Sequence, residues 1–339
     1  MVIAMSKYPW LIGLPGGLGD SIIQEPLIRK MLIAADGAPL YLACNRIVVP
    51  LFDGLQGVTK AFDICTPHIL DKSVEGWEWV IDLASVPWSA WLHELSARHH
   101  AFRPEGSMAH FLVDGEQFEH RTFKKHLPGR EGSPNLPAWM IEAPIVSACL
   151  RQSHWDWLAE GLYPEFQFKR DPQMDFPGES DPFVLFIPCG TGTHRRWPSD
   201  RWIMLAERFH QAGYGVKTIL GPEEMDLVQA FKEIADEMLI LAPMRQIAAL
   251  ATQASFCIAH DCGPMHLAAA CGARTLAIFG PTNPRCWFPY NPSITRCLQV
   301  YSPDICPWGE LSHLIGLHWQ HWPTVDAVWQ SFLNFHCPP

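Results

Sequence analysis

The chain has 339 residues, 48% hydrophobic and 18% charged, which is enough for one large core or two medium ones, and ordinary domain sizes favour two. Its formal net charge of −10 excludes an overall field that would draw nucleic acid or an anionic membrane, so any polyanionic partner must be met locally. No apolar run approaches the roughly 18 residues needed to cross a bilayer, and MVIAMSKYPW lacks the marks of a signal peptide, so a cytoplasmic chain is expected.

In chain order, WLIGLP reads as a buried strand, followed by a four-glycine cluster and a helical stretch with Ile22, Ile23, Leu27, Met31 and Leu32 on one face. PLYLAC, AFDIC and WVIDLAS repeat the short apolar strand, which predicts an open α/β layer. From 86 to 165 the pattern loosens into stretches rich in Trp, His and basic residues, with few clear strands. YPEFQFKRDPQMDFPGESDP, with four prolines, reads as a linker. Beyond it FVLFIP, GVKTILG, MLILA, FCIAHD and RTLAIFG alternate with helical segments such as WIMLAERFHQ and RQIAALATQA. That alternation predicts a parallel sheet covered on both faces, with ligands beyond the carboxyl ends of its strands.

Eleven cysteines, mostly inside apolar segments, read as reduced core thiols. Cys297, Cys306, His313, His318, His321 and Cys337 do not have the spacing of a structural zinc module, and no metal site is expected.

Three constellations can carry chemistry. In GLPGGLGD neither the dinucleotide fingerprint nor the P-loop ending is complete. An acid at a helix start would also repel a phosphate drawn there. Asp20 is then either a plain N-cap, or a proton acceptor at the lip of the sheet where glycines let another molecule approach the backbone. In PCGTGTHRRWPSDRW a strand ends, Gly190 to Thr193 supply hydroxyls and bare amides, and Arg195 and Arg196 follow, a pattern suited to an anion. In FCIAHDCGPMHLAAACG a strand is followed by Asp261, Cys262 and Gly263, with Pro264 in the first helical turn and His266 shortly after. The free amides and His266 favour a negative ligand. Taken singly, Asp261 is an N-cap and His266 an internally satisfied histidine as readily as a ligand group.

GGLGDSIIQEPLIRKM, RRWPSDRWIMLAERF, TILGPEEMD and HDCGPMHLAAACGARTLAIFGPTNPRCWFP resemble, in order and spacing, the motif series of glycosyltransferase family 9, the ADP-heptose heptosyltransferases. The resemblance implies an α/β fold of the GT-B type: two Rossmann-like domains with parallel sheets facing a central cleft. The expected division is an acceptor domain over 1–170, a linker over 171–182, a nucleotide-sugar domain over 183–325 and a C-terminal helix and tail over 326–339. It also implies an inverting, metal-independent transfer with no cofactor beyond the donor, ADP-heptose or another nucleotide sugar. The family's catalytic base falls on Asp20, with Gly17 and Gly19 making room for the sugar. Its phosphate-contacting lysine falls on Arg195, a change of geometry at constant charge, beside Arg196. Its small hydroxylated residue matches Thr191, and its acidic residue after the next strand's glycine matches Glu224 or, as the alternative, Glu223. Its Asp-Ser/Thr-Gly-x-x-His motif is Asp261, Cys262, Gly263, Pro264, Met265 and His266, where Cys262 removes a hydroxyl.

In an inverting transfer the base stands opposite the leaving diphosphate. With no Asp-x-Asp metal motif in the chain, the leaving charge falls to Arg195, Arg196, His266 and helix amides. The acceptor is a glycan or glycolipid of a lipopolysaccharide core, or a protein, and peripheral contact with an inner membrane is left open. The basic stretch HRTFKKHLPGR is either an acceptor contact or a solvated helix end. Trp77, Trp79, Trp88 and Trp91 suit sugar stacking or a core. The rival functions are a nucleotide-sugar epimerase on the same architecture and a non-catalytic nucleotide-sugar binder.

Overall fold

Four buried residues, WLIG, form β1 (Trp10–Gly13), an inner strand of the first of two sheets. A computed structural model of the chain describes residues 8–14, 16–66, 79–83, 101–105, 108–113, 116–119, 157, 160–166, 181–190, 196–280, 282, 284–287, 291, 293–299 and 322–336. The chain divides into two compact units, residues 1–131 with 138–168, and residues 132–137 with 169–339.

In the first unit β1 is followed by α1 (Leu18–Ile23), α2 (Glu25–Ala35), β2 (Leu40–Cys44), α3 (Val49–Phe52), β3 (Val58–Asp63) and β4 (Trp79–Asp82). Then come β5 (Ala101–Glu105), β6 (Met108–Val113) and β7 (Glu116–Glu119). The sheet order is β3-β2-β1-β4-β5-β6-β7, parallel from β3 to β5 and antiparallel beyond. The antiparallel ribbon lies in the region where the sequence shows few clear strands. The expected single helix is two, parted at Gln24, with Pro26 in the first turn of α2, where its missing N–H costs nothing. Ile22, Ile23, Leu27 and Met31 are buried as the periodicity requires, and Leu32 is half-buried.

The segment 160–166 is tied to α2 by charge. Glu25, whose side chain is 0% exposed, has Oε1 2.8 Å from Arg29 Nε, an ion pair rather than an aligned hydrogen bond. Its Oε2 accepts from the Glu165 amide at 2.9 Å, while Arg29 Nη2 donates to the Tyr163 carbonyl and Lys30 pairs with Glu160 at 2.6 Å. Burial, outweighing Arg29, pushes the Glu25 carboxyl up to about 7.

The second unit holds β8 (Phe183–Ile187), α4 (Ser199–Gln211), β9 (Gly215–Leu220), a 3₁₀ turn (Pro222–Leu227), α5 (Val228–Phe231) and β10 (Glu237–Ile240). It continues with α6 (Met244–Gln253), β11 (Phe256–His260), α7 (Gly263–Ala270), β12 (Thr275–Phe279), α8 (Pro284–Trp287), β13 (Thr295–Gln299) and α9 (Val325–His336). Its six strands are all parallel in the order β10-β9-β8-β11-β12-β13, the doubly wound nucleotide-binding order. The core joins strand residues Val184, Phe186, Phe256 and Ile258 to Trp202, Leu205 and Phe209 of α4 and to Val328, Phe332 and Phe335 of α9. The last helix thus packs as part of this unit. No helix among the described residues is long and apolar enough to cross a membrane.

Candidate functional site

In the first unit the glycine loop leaves β1 where the strand order turns, between β1 and β4. The backbone is pinned there. Leu14 N–H donates to the Ala43 carbonyl and Leu83 N–H to the Gly13 carbonyl, both at 2.8 Å, and Asn45 Nδ2 donates to the Gly16 carbonyl at 3.0 Å. Gly17 is the N-cap of α1 and Gly19 its second residue, so the N-cap reading of Asp20 is corrected: Asp20 is the third residue of the helix. It is exposed, and a Cβ built on Gly17 would fall on Asp20 Oδ2. The room left by Gly17 is therefore filled by the carboxylate of Asp20, which lies back over the helix start.

In the second unit the order reverses between β8 and β11, the kind of switch point at which doubly wound sheets take ligands. Thr191 and Arg195 lie outside the described residues. Arg196 and Glu224 are described, and both are engaged by neighbouring groups of the protein. Arg196, 9% exposed, donates from Nε to the Gly190 carbonyl at 3.2 Å, from Nη1 to Asp226 Oδ1 at 2.9 Å and from Nη2 to the Glu223 carbonyl. Glu224, 2% exposed, accepts the Gly190 amide on Oε1 and the Gly221 amide on Oε2, each at 3.0 Å. Glu223, the alternative, is exposed.

Beyond β11 it is Cys262, not Asp261, that caps α7, with extended backbone at φ −158° and ψ 166°. Its sulfur replaces a capping hydroxyl without closing a side-chain cap bond. Burial, then the neighbouring Cys189 thiol, pushes the Cys262 thiol well above its ordinary range, so it is a neutral group. Gly263 and Pro264 open α7, half-exposed, so their part of the helix end can meet a ligand. Met265 is corrected: its side chain is fully buried in the core, which leaves only its backbone for that role.

His266 is 3% exposed, with Nε2 3.7 Å from Asp261 Oδ1 and Nδ1 buried without a hydrogen-bond partner among the described residues. Asp261 Oδ2 accepts the hydroxyl of Thr282, from the loop after β12. The motif FGPTNP contains this threonine, but nothing in its spacing reveals the partner. A second group absent from the sequence reading is His260, fully buried against the rings of Trp202 and Trp322. Its Nε2 accepts the Trp197 amide at 3.0 Å, fixing the chain just after Arg196, and burial pushes its pKa down to about 3. Gly280 must lack a Cβ because the Trp322 ring occupies that space.

Among the described residues no three His, Cys, Asp or Glu side chains are grouped as a metal site. Of the tail candidates Cys297 lies on β13, while Cys306, His313, His318, His321 and Cys337 are outside the described residues, as are the stretch 120–130, Trp77, Trp88 and Trp91. Trp79 lies on β4.

Comparison with known proteins shows what the chain is similar to. The model of glycosyltransferase family 9 (heptosyltransferase) matches residues 154–307. Lipopolysaccharide heptosyltransferase 1 of Pseudomonas aeruginosa is 37% identical over 109 residues, 30% of this chain and 30% of that protein, and lipopolysaccharide heptosyltransferase 3 of Escherichia coli is matched over 43% of its length. The chain thus spans less than half the length of these two relatives. Lipooligosaccharide heptosyltransferase 2 of Haemophilus influenzae is 27% identical over 314 residues, 83% of this chain and 84% of that protein. The solved E. coli ADP-heptose lipopolysaccharide heptosyltransferase II shares the fold with a TM-score of 0.69 at 17% identity, covering 97% of this chain and 98% of that one. The E. coli heptosyltransferase WaaC with ADP gives a TM-score of 0.64 at 17% identity, over 97% and 100% of the two chains. The chain is thus similar to glycosyltransferase family 9, the heptosyltransferases, over residues 154–307, and shares the fold of the solved heptosyltransferases.

Proposed function

We propose that the chain is an inverting glycosyltransferase that needs no metal and moves a sugar, heptose from ADP-heptose, onto a hydroxyl of a lipopolysaccharide-core glycan or of a protein. The observation that carries this reading is the switch point of the second sheet. The amino end of α7 lies at that switch point, where doubly wound sheets take nucleotides, and α7 carries His266, whose Nδ1 is buried with no hydrogen-bond partner among the described residues. WaaC, which shares this fold, was solved with ADP, and this supports ADP as the nucleotide.

In the reaction the acceptor oxygen attacks the anomeric carbon, that carbon's bond to the diphosphate oxygen breaks, and the acceptor proton passes to the Asp20 carboxylate. The charge that grows on the departing diphosphate is met by the α7 amides, by Arg195 and by His266. Asp20 suits the base role because it is exposed on a short helix whose start is hydrogen-bonded into the sheet. Gly17→Ala is expected to displace its carboxylate and to cut transfer on the order of 100-fold while ADP still binds, because misplacing a reacting group by about 1 Å costs that much. Steady-state assays beside calorimetric ADP titration read both quantities.

The donor is tested by a melting-temperature panel of nucleotide sugars, because a ligand that binds only the folded state raises the transition by mass action. ADP-linked sugars at 100 times Kd are expected to add about 2.7 kcal/mol, with UDP- and GDP-linked sugars well below. Transfer from the stabilising donor should persist in EDTA. An epimerised sugar formed without acceptor, or binding without turnover, would overturn the transferase reading.

A further inference from the structure

We infer that Arg196 and Glu224 are positioning residues, which hold the peptide of Gly190 from both sides and so set the backbone from which Thr191 to Arg195 leave β8. The inference rests on the second unit being the donor-nucleotide site.

The Gly190 amide donates to Glu224 Oε1 at 3.0 Å, and the Gly190 carbonyl accepts from Arg196 Nε at 3.2 Å. The two clamping groups also meet each other, with Arg196 Nη2 3.6 Å from Glu224 Oε1. Both are anchored in the loop after β9: Glu224 Oε2 takes the Gly221 amide at 3.0 Å, and Arg196 reaches the Glu223 carbonyl and Asp226. Since β8 and β9 are parallel neighbours, Phe186 against Thr218, the result is a closed polar ring across two adjacent strand ends. Gly190 has no side chain with which to hold itself, and both of its backbone polar groups are spoken for by this ring.

The contacts already made give both side chains a structural task. Each carboxylate oxygen of Glu224 holds a backbone amide, and each guanidinium nitrogen of Arg196 donates once to a protein acceptor, so the ring fixes both side chains while Nη1 and Nη2 keep one further N–H each. Removing either side chain would strip a buried amide or carbonyl of its partner, a cost that falls on the full desolvation of that group. Asp226, whose side chain is 60% exposed, is the outer and weakest member.

The test is a double-mutant cycle on ADP affinity, with Arg196→Met, Glu224→Gln and the pair, assayed where circular dichroism shows each variant folded. Each single change is expected to weaken ADP about tenfold or more, and the double change no further than the worse single one, because the second substitution removes a partner already idle. Losses that multiply would mean independent ligand contacts and would overturn the inference. Arg196→Lys discriminates again: lysine keeps the charge that a phosphate contact needs but cannot span the Gly190 and Glu223 carbonyls, so affinity is expected to fall. Lysine with wild-type affinity would overturn the inference. Amide exchange at Gly190 reads the ring without any ligand. Protection there should drop at least tenfold in Glu224→Gln, and unchanged protection would sink the inference even in a chain that binds ADP. Wild-type protein that fails to bind ADP would instead sink the donor-site reading, with the exchange result still deciding the ring.

Discussion

Asp20→Ala is expected to lower the rate of sugar transfer by about 10²–10⁴-fold, the range that a positioned general base supplies, while ADP binding stays at the wild-type level. The division follows from where the groups sit in the chain. Asp20 belongs to the first unit and every described residue assigned to the nucleotide belongs to the second. Asp20→Asn sharpens the test. The amide is nearly isosteric, so it can still lie over Gly17 and leave α1 undisturbed, but it cannot accept a proton. An asparagine variant as slow as the alanine one, with an unchanged melting temperature, assigns the loss to basicity rather than to packing. Equal losses of transfer and ADP affinity in either variant would refute the division of roles.

Much of the fold was legible because burial on both faces writes a parallel strand as an unbroken apolar run. WLIG, LYLAC, FVLFI, FCIAH and TLAIF are such runs, and all are strands. β13 is not one: at the sheet edge its sequence TRCLQ is mostly polar, and it carries Arg296. β5 contains Pro104, a residue that normally argues against a strand, at the start of an antiparallel ribbon.

The site divides in the same way. Asp261 to His266 could be placed because a strand followed by Gly-Pro announces a helix start. The identity of the cap could not, since cysteine is not among the usual capping residues. Arg196 and Glu224 were visible as charges in loops. Their partners are backbone groups of Gly190, Gly221 and Glu223, which no side-chain pattern can show. His260 was hidden for the opposite reason, being a titratable residue at a fully buried strand position that the apolar run absorbs.

The buried histidine and the buried glutamate give the two units opposite responses to pH. His260 in the second unit is held neutral, its pKa lowered from 6.5 to about 3, chiefly by burial and also by Arg196, with the Asp261 charge and the Pro188 and Cys189 carbonyls acting the other way. The unfolded chain therefore binds a proton there that the folded chain refuses. Stability is full above about pH 6.5 and falls as the pH drops toward 3, by about 1.4 kcal/mol per unit, or about 2 kcal/mol at pH 5. Glu25 in the first unit is the reverse case, raised from 4.5 to about 7, so the folded chain keeps a proton that the unfolded one releases. That unit is most stable below about pH 4.5 and loses up to about 3 kcal/mol as the pH rises through 7. Scanning calorimetry from pH 4.5 to 8 should show one transition rising and the other falling. Glu25→Gln is expected to flatten the falling one alone. His260→Gln, which keeps an acceptor for the Trp197 amide but does not titrate, is expected to flatten the rising one alone. If His260→Gln keeps the wild-type acid slope, the histidine is not the group that makes the nucleotide unit acid-sensitive, and the Trp197 amide must hold the loop after Arg196 without that charge linkage.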